Sequence, residues 1–341
     1  MESDKYSPNY ESFRKLHLIV LNIFKEFKRI CEENNLRYYA ISGTTLGAAL
    51  WKGIIPWDDD IDITMPATDF IEFKKLCSKP NFLSKNYSFT EYNWFGGKLH
   101  NNKTMCTGIH YINNPKLYTG VFIDIVPLIG LPDDKDEQSK FIDELNSFRE
   151  SAIIADRFKH IKTGYTKKQL DAWAYNLLNK YSIEKANYVM DFSDTRYVLK
   201  ASGFKNPIMM PFEDTMIPVS SNYEEDLKIQ YQNYSKYPPK EQRFNRNQLL
   251  FIIDLEHPYS SYIKSYKKLP SWVTDGFKKW EICAGDYYSY YLQEIRKSKE
   301  QMVPSQKYIN DLNKVYNSKS YKIGNFLLHP TDHLTKKKRH Q

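Results

Sequence analysis

The hydrophobic pattern changes period several times along the chain. Phe13, Leu16, Val20, Ile23, Phe24, Phe27 and Ile30 fall on or near one stripe of residues 11–33, which predicts an amphipathic helix ended by Asn34-Asn35. Arg37–Ser42 is strand-like, and Gly43-Thr44-Thr45-Leu46-Gly47 then opens a short helix reaching Lys52. Beyond Pro56-Trp57, Asp60–Met65 alternates with period two, as a strand does. Thr68 is a candidate cap for the next helix, which turns Phe70, Ile71, Phe73 and Leu76 inward. Tyr87–Tyr92, Phe95–Asn101 and Thr104–Ile112 are strand-like, and Gly120–Leu128 is the most apolar strand of the chain. The pattern turns helical from Asp133 to Lys200, with Phe141, Leu145, Phe148 and Ile153 among the apolar positions and a further helix start at Ser182 and Glu184. Met216–Val219 returns to strand, and Ser221-x-x-Glu224 has the form of a capping box for a helix Tyr223–Tyr234. The last hundred or so residues are mainly helical by composition, with an aromatic cluster at Tyr287–Tyr291.

This order predicts an α+β fold, a mixed sheet flanked by helices with an additional helical C-terminal region. At 341 residues the chain has room for about two domain-sized units. Hydrophobic residues make up 41% and aromatic residues 15%, enough for a packed core rather than general disorder. The strongest short apolar run is Leu249–Ile253, far below the roughly 18 residues of a membrane span. The first residues, Met1-Glu2-Ser3-Asp4, do not have the form of a secretory signal. Cys31, Cys77, Cys106 and Cys283 lie far apart without a CxxC pair, so neither a zinc ribbon nor a disulfide scaffold is expected. A cytoplasmic location is expected from these features.

Charge changes this picture only at the end. The net charge is +8, of which Lys336, Lys337, Lys338 and Arg339 carry four. The remainder is mildly basic, so no nucleic-acid partner is expected. The basic tail at 336–341 reads as a solvated end, as a peripheral contact with anionic membrane or phosphate-rich polymer, or as a nuclear address.

The chemistry is concentrated in Trp57-Asp58-Asp59-Asp60-Ile61-Asp62-Ile63. On a strand, Asp60 and Asp62 share one face while Ile61 and Ile63 share the other. Two neighbouring carboxylates on an otherwise apolar strand repel each other, and a divalent cation relieves that repulsion. Hard oxygen ligands favour Mg²⁺ or Mn²⁺. Asp124 sits in a second apolar run, Val121-Phe122-Ile123-Asp124-Ile125-Val126, where a carboxylate must be paired, hydrogen-bonded or metal-bound. Three such carboxylates from two neighbouring strands suit displacement at phosphorus. Asp58 and Asp59 read either as supporting ligands or as the turn before the strand. The upstream glycine turn at Gly43 presents backbone N–H groups where a phosphate can sit. Glycine turn, helix, paired-Asp strand and later Asp strand together match the order of a nucleotidyltransferase fold.

The stretch Gly43–Pro66, GTTLGAALWKGIIPWDDDIDITMP, resembles the LicD family of phosphotransferases. Gly43, Thr44, Leu46, Gly47, Lys52, Gly53, Pro56, Trp57, Asp58, Asp59, Asp60, Ile61 and Asp62 match its signature. Phe122–Leu128 is similar to the family's later acidic strand. Ile217-Pro218-Val219 through Tyr223, Leu227 and Tyr231 to Tyr237-Pro238-Pro239 is a looser match. Leu50-Trp51 departs from a frequent family Arg, and Tyr231-Gln232 from a family Tyr-Gly.

The resemblance implies a nucleotidyltransferase-fold catalytic domain over residues 1–245 with a helical insertion at 133–200, followed by a mainly helical region 246–335. It implies metal-dependent transfer of a phospho-alcohol, phosphocholine first, from a CDP-linked donor to a sugar hydroxyl of a glycan or lipid-linked oligosaccharide, with release of CMP. Asp60, Asp62 and Asp124 are then the metal-binding and catalytic residues. Gly43, Thr44 and Lys98 are the donor-binding residues, Lys98 reading equally as a solvated lysine on an edge strand. Asp58, Asp59 and Trp57 support the site. Trp57 and Trp94 read either as cation–π partners of choline or as core aromatics. A basic tail without a membrane span would suit an enzyme at the inner face of a membrane. Ribitol or glycerol phosphate donors, a nucleotide-sugar glycosyltransferase of Asp-x-Asp type and a non-catalytic glycan- or nucleotide-binding protein are the alternatives.

Overall fold

The computed structural model describes residues 10–92, 94–108, 115–157, 163–236 and 251–267. The expected C-terminal helical region beyond 267, its aromatic cluster, the basic tail, Cys283 and the end of the strand at Ile112 lie outside the described residues.

The amphipathic stripe becomes α1 (Tyr10–Glu33), with Val20, Ile23, Phe24 and Phe27 fully buried. Two-residue β1 (Tyr39–Ala40) leads into α2 (Ser42–Trp51), which Lys52 ends in the left-handed region at φ 53°. Next come β2 (Asp62–Pro66), α3 (Ala67–Cys77), β3 (Tyr87–Tyr92), β4 (Gly96–Asn101), β5 (Met105–Gly108) and β6 (Phe122–Leu131). They are followed by α4 (Lys135–Arg157), α5 (Lys167–Lys180), β7 (Tyr188–Asp191), β8 (Asp194–Lys200) and α6 (Ala201–Lys205). The described chain ends with β9 (Ile208–Phe212), β10 (Thr215–Val219), α7 (Tyr223–Tyr231), β11 (Phe251–Asp254) and α8 (Tyr259–Tyr266).

Seven strands form one mixed sheet in the order β1-β2-β6-β4-β3, with β7 on the second half of β6 and β8 beyond it. β2 and β6 run parallel, and the other pairings in this sheet are antiparallel. The α+β expectation therefore holds. One sheet face carries Ile63, Met65, Leu99, Ile123 and Ile125, buried in a common core with the apolar stripe of α1 and with Phe70 and Phe73 of α3. A second core joins Phe141, Leu145 and Phe148 of α4 to Leu170 and Leu177 of α5 and to Ile129 and Phe192. Two smaller ladders, β9–β10 and β5–β11, stand beside the main sheet. No helix among the described residues is long and apolar enough to cross a membrane.

Several local expectations are corrected. Ser182 and Glu184 do not open a helix; residues 188–200 form the β7–β8 hairpin instead. Tyr188-Val189-Met190 and Tyr197-Val198-Leu199 are apolar runs of three residues, too short to stand out beside the preceding helices. Thr68 does not cap α3; it lies in the first turn, its hydroxyl donating to Asp69, and Pro66 holds the cap position. Ser221 and Glu224 form no capping box, since Asn222 precedes α7 without a side-chain cap. The capping box is instead at Thr166 and Gln169, at the start of α5. β2 begins at Asp62 rather than Asp60.

Candidate active site

Register brings the acids together. Asp62 on β2 lies directly across from Asp124 on β6, and Asp124 lies across from Lys98 on β4. Residues paired in register point to the same side of a sheet, so all three side chains share the face opposite α1. Asp60 is brought in from the segment before β2. One carboxylate oxygen each from Asp60, Asp62 and Asp124 lies within 4.8 Å of the others, and Asp58, Asp59 and Asp60 form a second such group. The two groups share Asp60.

This segment is held from behind by α1. His17 Nε2 donates to the Asp58 carbonyl at 2.7 Å. Burial holds the His17 imidazole below its usual pKa, which keeps it neutral. Arg14 pairs with Glu213 at 2.7 Å, and Glu213 accepts from the Ile54 N–H at 3.2 Å. Glu213 sits in the β9–β10 turn, so the hairpin and α1 together clamp the loop ahead of the acids. Gly47 lets α2 close on that loop: a Cβ there would stand 2.4 Å from the Gly53 carbonyl oxygen. At Gly43 a Cβ would stand 2.8 Å from Asp58 Oδ2, so the missing side chain admits the carboxylate to the first turn of α2.

Thr44 also has a place within the fold. It is buried, its N–H donates to the Ile41 carbonyl at 3.0 Å, and its Oγ accepts from the Asp62 N–H at 2.8 Å. Its hydroxyl therefore anchors the start of β2. Lys98 departs from the edge-strand reading, because β4 lies between β6 and β3. Its Nζ reaches Asp124 at 3.0 Å and sits 3.1 Å from the centroid of the Phe122 ring. Trp57 meets Trp51 edge-on, with centroids 5.5 Å apart, beside the acidic segment. Trp94 is tied away from the acids: its indole N–H donates to Asp171 on α5 and its ring meets Phe148 on α4.

Electrostatics distinguish this cluster from a surface acidic turn. Burial, followed by the charge of Asp59, pushes the Asp58 carboxyl up to about 7. Asp59 is raised by burial and then by Asp124. Asp60 and Asp62 are driven well above the usual carboxylate range, first by burial and then by Asp62 and Asp124 respectively. Lys98 supplies one positive charge against these five carboxylates. The ligand atoms are all oxygen and converge, so the residues fit a hard divalent cation.

Some residues at the site escaped the sequence reading. Tyr92 on β3 is hydrogen-bonded to Asp124. Its phenol is held far above its usual pKa by burial first and then by the Asp124 charge. Asp191 on β7 raises the pKa of both Asp62 and Tyr92, and burial pushes its own carboxyl up to about 6. Asp191 carries the signal that marked Asp124, a lone acid in an apolar run. Tyr92 carries none, because its place depends on strand order. Tyr231 of α7 is hydrogen-bonded to Ser42 at the start of α2 and interacts with Asp62 and Asp58, which brings this residue of the loosest motif to the site; Tyr237-Pro238-Pro239 of that motif lie outside the described residues.

Residues 35–137, which span β1 to β6 and contain every one of the five clustered acids, match the family model described as LicD/FKTN/FKRP, nucleotidyltransferase domain. The chain carries a LicD-family domain. Beyond the LicD domain the likeness extends further. The chain is 25% identical over 259 residues to lipopolysaccharide cholinephosphotransferase LicD of Haemophilus influenzae, a match covering 67% of this chain and 94% of that protein. An uncharacterized protein of Rickettsia typhi is 35% identical over 85 residues, 25% of this chain and 27% of the relative. An uncharacterized protein of Rickettsia prowazekii is 34% identical over 86 residues, 25% of this chain and 32% of the relative.

Proposed function

We propose that this protein transfers phosphocholine from CDP-choline to a sugar hydroxyl of a cell-surface glycan or its lipid-linked precursor, releasing CMP. The observation that carries this reading is the in-register pair Asp62 and Asp124, joined by Asp60, inside a LicD-family domain. A likeness that spans 94% of a cholinephosphotransferase and 67% of this chain supports choline over ribitol or glycerol. The core is read as a nucleotidyltransferase fold, in keeping with the description of the matching family model.

Asp60, Asp62 and Asp124 would hold Mg²⁺ or Mn²⁺, with Asp58 and Asp59 in support. The cation supplies charge neutralisation for the diphosphate and for the transition state. The protein's own groups do the rest. Thr44 fixes Asp62 through its N–H. Lys98 and Tyr92 orient the Asp124 carboxylate and temper its charge. Asp124 accepts the proton of the incoming hydroxyl, whose oxygen forms the new P–O bond as the bridging P–O bond to CMP breaks. Gly43, in the first turn of α2, offers backbone N–H to the donor phosphate. Trp51 and Trp57 offer aromatic surface beside this segment to a quaternary ammonium.

The test is CMP release from CDP-choline with lipopolysaccharide as acceptor, with Mg²⁺ and with chelator. Release is expected only with metal, and it should be lost in Asp60→Asn and Asp62→Asn while circular dichroism stays unchanged. Metal-independent release, or substantial release by either variant, would refute the assignment. Release from UDP-sugars in place of CDP-choline would instead assign glycosyl transfer.

A further inference from the structure

A cavity of about 560 Å³ opens beside the carboxylates, on the same face of the sheet. Its walls include Tyr92 of β3, Lys98 and His100 of β4, Phe122 and Asp124 of β6, Thr107 of β5 and Tyr259 of α8. It therefore lies on the β4–β3 side of Asp124. The glycine turn and the first turn of α2 lie on the opposite side, since α2 follows β1 and anchors β2 through Thr44. From one flank to the other, the sheet thus presents the start of α2, the paired acids, Lys98 and then the cavity.

That order bears on the direction of attack. In phosphoryl transfer the entering and leaving oxygens lie on opposite sides of phosphorus, roughly in line. With the nucleotide phosphate at the start of α2, the entering hydroxyl comes from the side of Asp124, where the cavity is. We infer that this cavity is the seat of the acceptor, and that its occupant is a sugar ring hydrogen-bonded by His100 and Thr107 and stacked on the aromatic wall. The inference rests on the phosphoryl-transfer reading above.

The cavity's chemistry suits that occupant. His100 and Thr107 are 2% and 3% exposed, and among the described residues His100 Nε2 and Thr107 Oγ1 have no hydrogen-bond partner. His100 Nδ1 accepts from the Gly120 N–H at 3.4 Å, which leaves the ring hydrogen on Nε2, an N–H without an acceptor. Buried polar atoms of this kind are ordinarily satisfied, and a hydroxyl-rich ring provides both acceptors and donors. The Tyr259 ring meets His100 edge-on, with centroids 5.9 Å apart, and adds apolar surface for the C–H face of a sugar. Choline fits this cavity poorly, because its ammonium cannot accept a hydrogen bond and would face Lys98 and Lys116.

The experiment compares sugar and nucleotide binding on the full chain. Saturation-transfer NMR would be recorded with methyl β-D-galactopyranoside, methyl α-D-glucopyranoside and CMP, each with Mg²⁺, for the wild type, Thr107→Val and His100→Ala. Thr107→Val preserves shape and guards against misfolding, which thermal unfolding checks in both variants. Loss of one hydrogen bond should weaken glycoside binding about tenfold, while the Kd for CMP stays within about twofold. The inference is overturned if folded variants lose CMP binding, which would make the cavity the nucleotide seat and reverse the direction of attack. It is also overturned if neither glycoside binds the wild type, or if the variants bind glycoside unchanged. Failure of wild-type protein to bind CMP or release it from CDP-choline would instead sink the phosphoryl-transfer reading itself.

Discussion

Replacing Asp58 by Asn tests whether the acidic segment is held together at an electrostatic cost that a cation relieves. Asp58 lies with its carboxylate against the first turn of α2, where burial and Asp59 push it up to about 7. In the unfolded chain an Asp titrates near 3.9. Between these values the folded protein keeps a proton that the unfolded chain has lost. Stability therefore falls as pH rises from about 4 to about 7, and the full cost is present above 7. Three units at 1.36 kcal/mol each set a ceiling of about 4 kcal/mol on that cost. Asn keeps the shape and an oxygen acceptor for the Asp59 N–H but carries no charge. In chelator, Asp58→Asn should be more stable than wild type by up to about 4 kcal/mol at pH 8, by about 1–2 kcal/mol at pH 5, and not at all below pH 4. Adding Mg²⁺ should raise the wild-type melting temperature more than that of the variant and so narrow the gap. Thermal unfolding across pH, with and without metal, reads each of these effects. An advantage that is equal at pH 5 and pH 8, or a variant less stable than wild type at pH 8, would refute the reasoning.

Three further outcomes follow from the geometry. Asp191, pushed up to about 6 by burial, is subject to the same sign, so Asp191→Asn should stabilise the protein above pH 6 by up to about 3 kcal/mol and have no effect below pH 4, read by thermal unfolding. Gly47→Ala would drive a Cβ to 2.4 Å from the Gly53 carbonyl oxygen, so it should lower stability by about 1–3 kcal/mol and loosen the loop ahead of the acids, with activity falling too. His17→Leu leaves the Asp58 carbonyl without its donor; a loss of about 1–3 kcal/mol is expected, together with reduced turnover at saturating metal, and unchanged turnover would show that α1 does not position the segment.

The parts of the fold legible in the sequence are those whose side chains repeat with helical period, alternate, or form a long apolar run. α1 and β6 are of this kind, and so is the acidic segment, where Ile61 and Ile63 face the core while Asp60 and Asp62 converge with Asp124. Strand order is not local information, so Lys98 reads as an edge residue although β4 is interior, and Tyr92 is invisible until β3 is placed beside it. Thr44 reads as a donor contact from its glycine turn, whereas the bond its hydroxyl accepts from the Asp62 N–H depends on the packing of α2 against β2 and has no local signal. Only the second strand of the β9–β10 hairpin is legible, because the turn uses Glu213 at φ 55° in place of a glycine. That same residue clamps the active-site loop, which gives the unfavourable conformation a structural use.

The central claim is that Asp62 and Asp124, brought into register by β2 and β6, carry phosphocholine to an acceptor hydroxyl. ³¹P NMR of a reaction containing CDP-choline, lipopolysaccharide and Mg²⁺ tests it most directly. A new phosphodiester resonance on the glycan should grow in step with CMP, and both should be absent with Asp124→Asn. Formation of CMP and phosphodiester by Asp124→Asn at the wild-type rate, or no phosphorus transfer by the wild type from any CDP-alcohol, would contradict it.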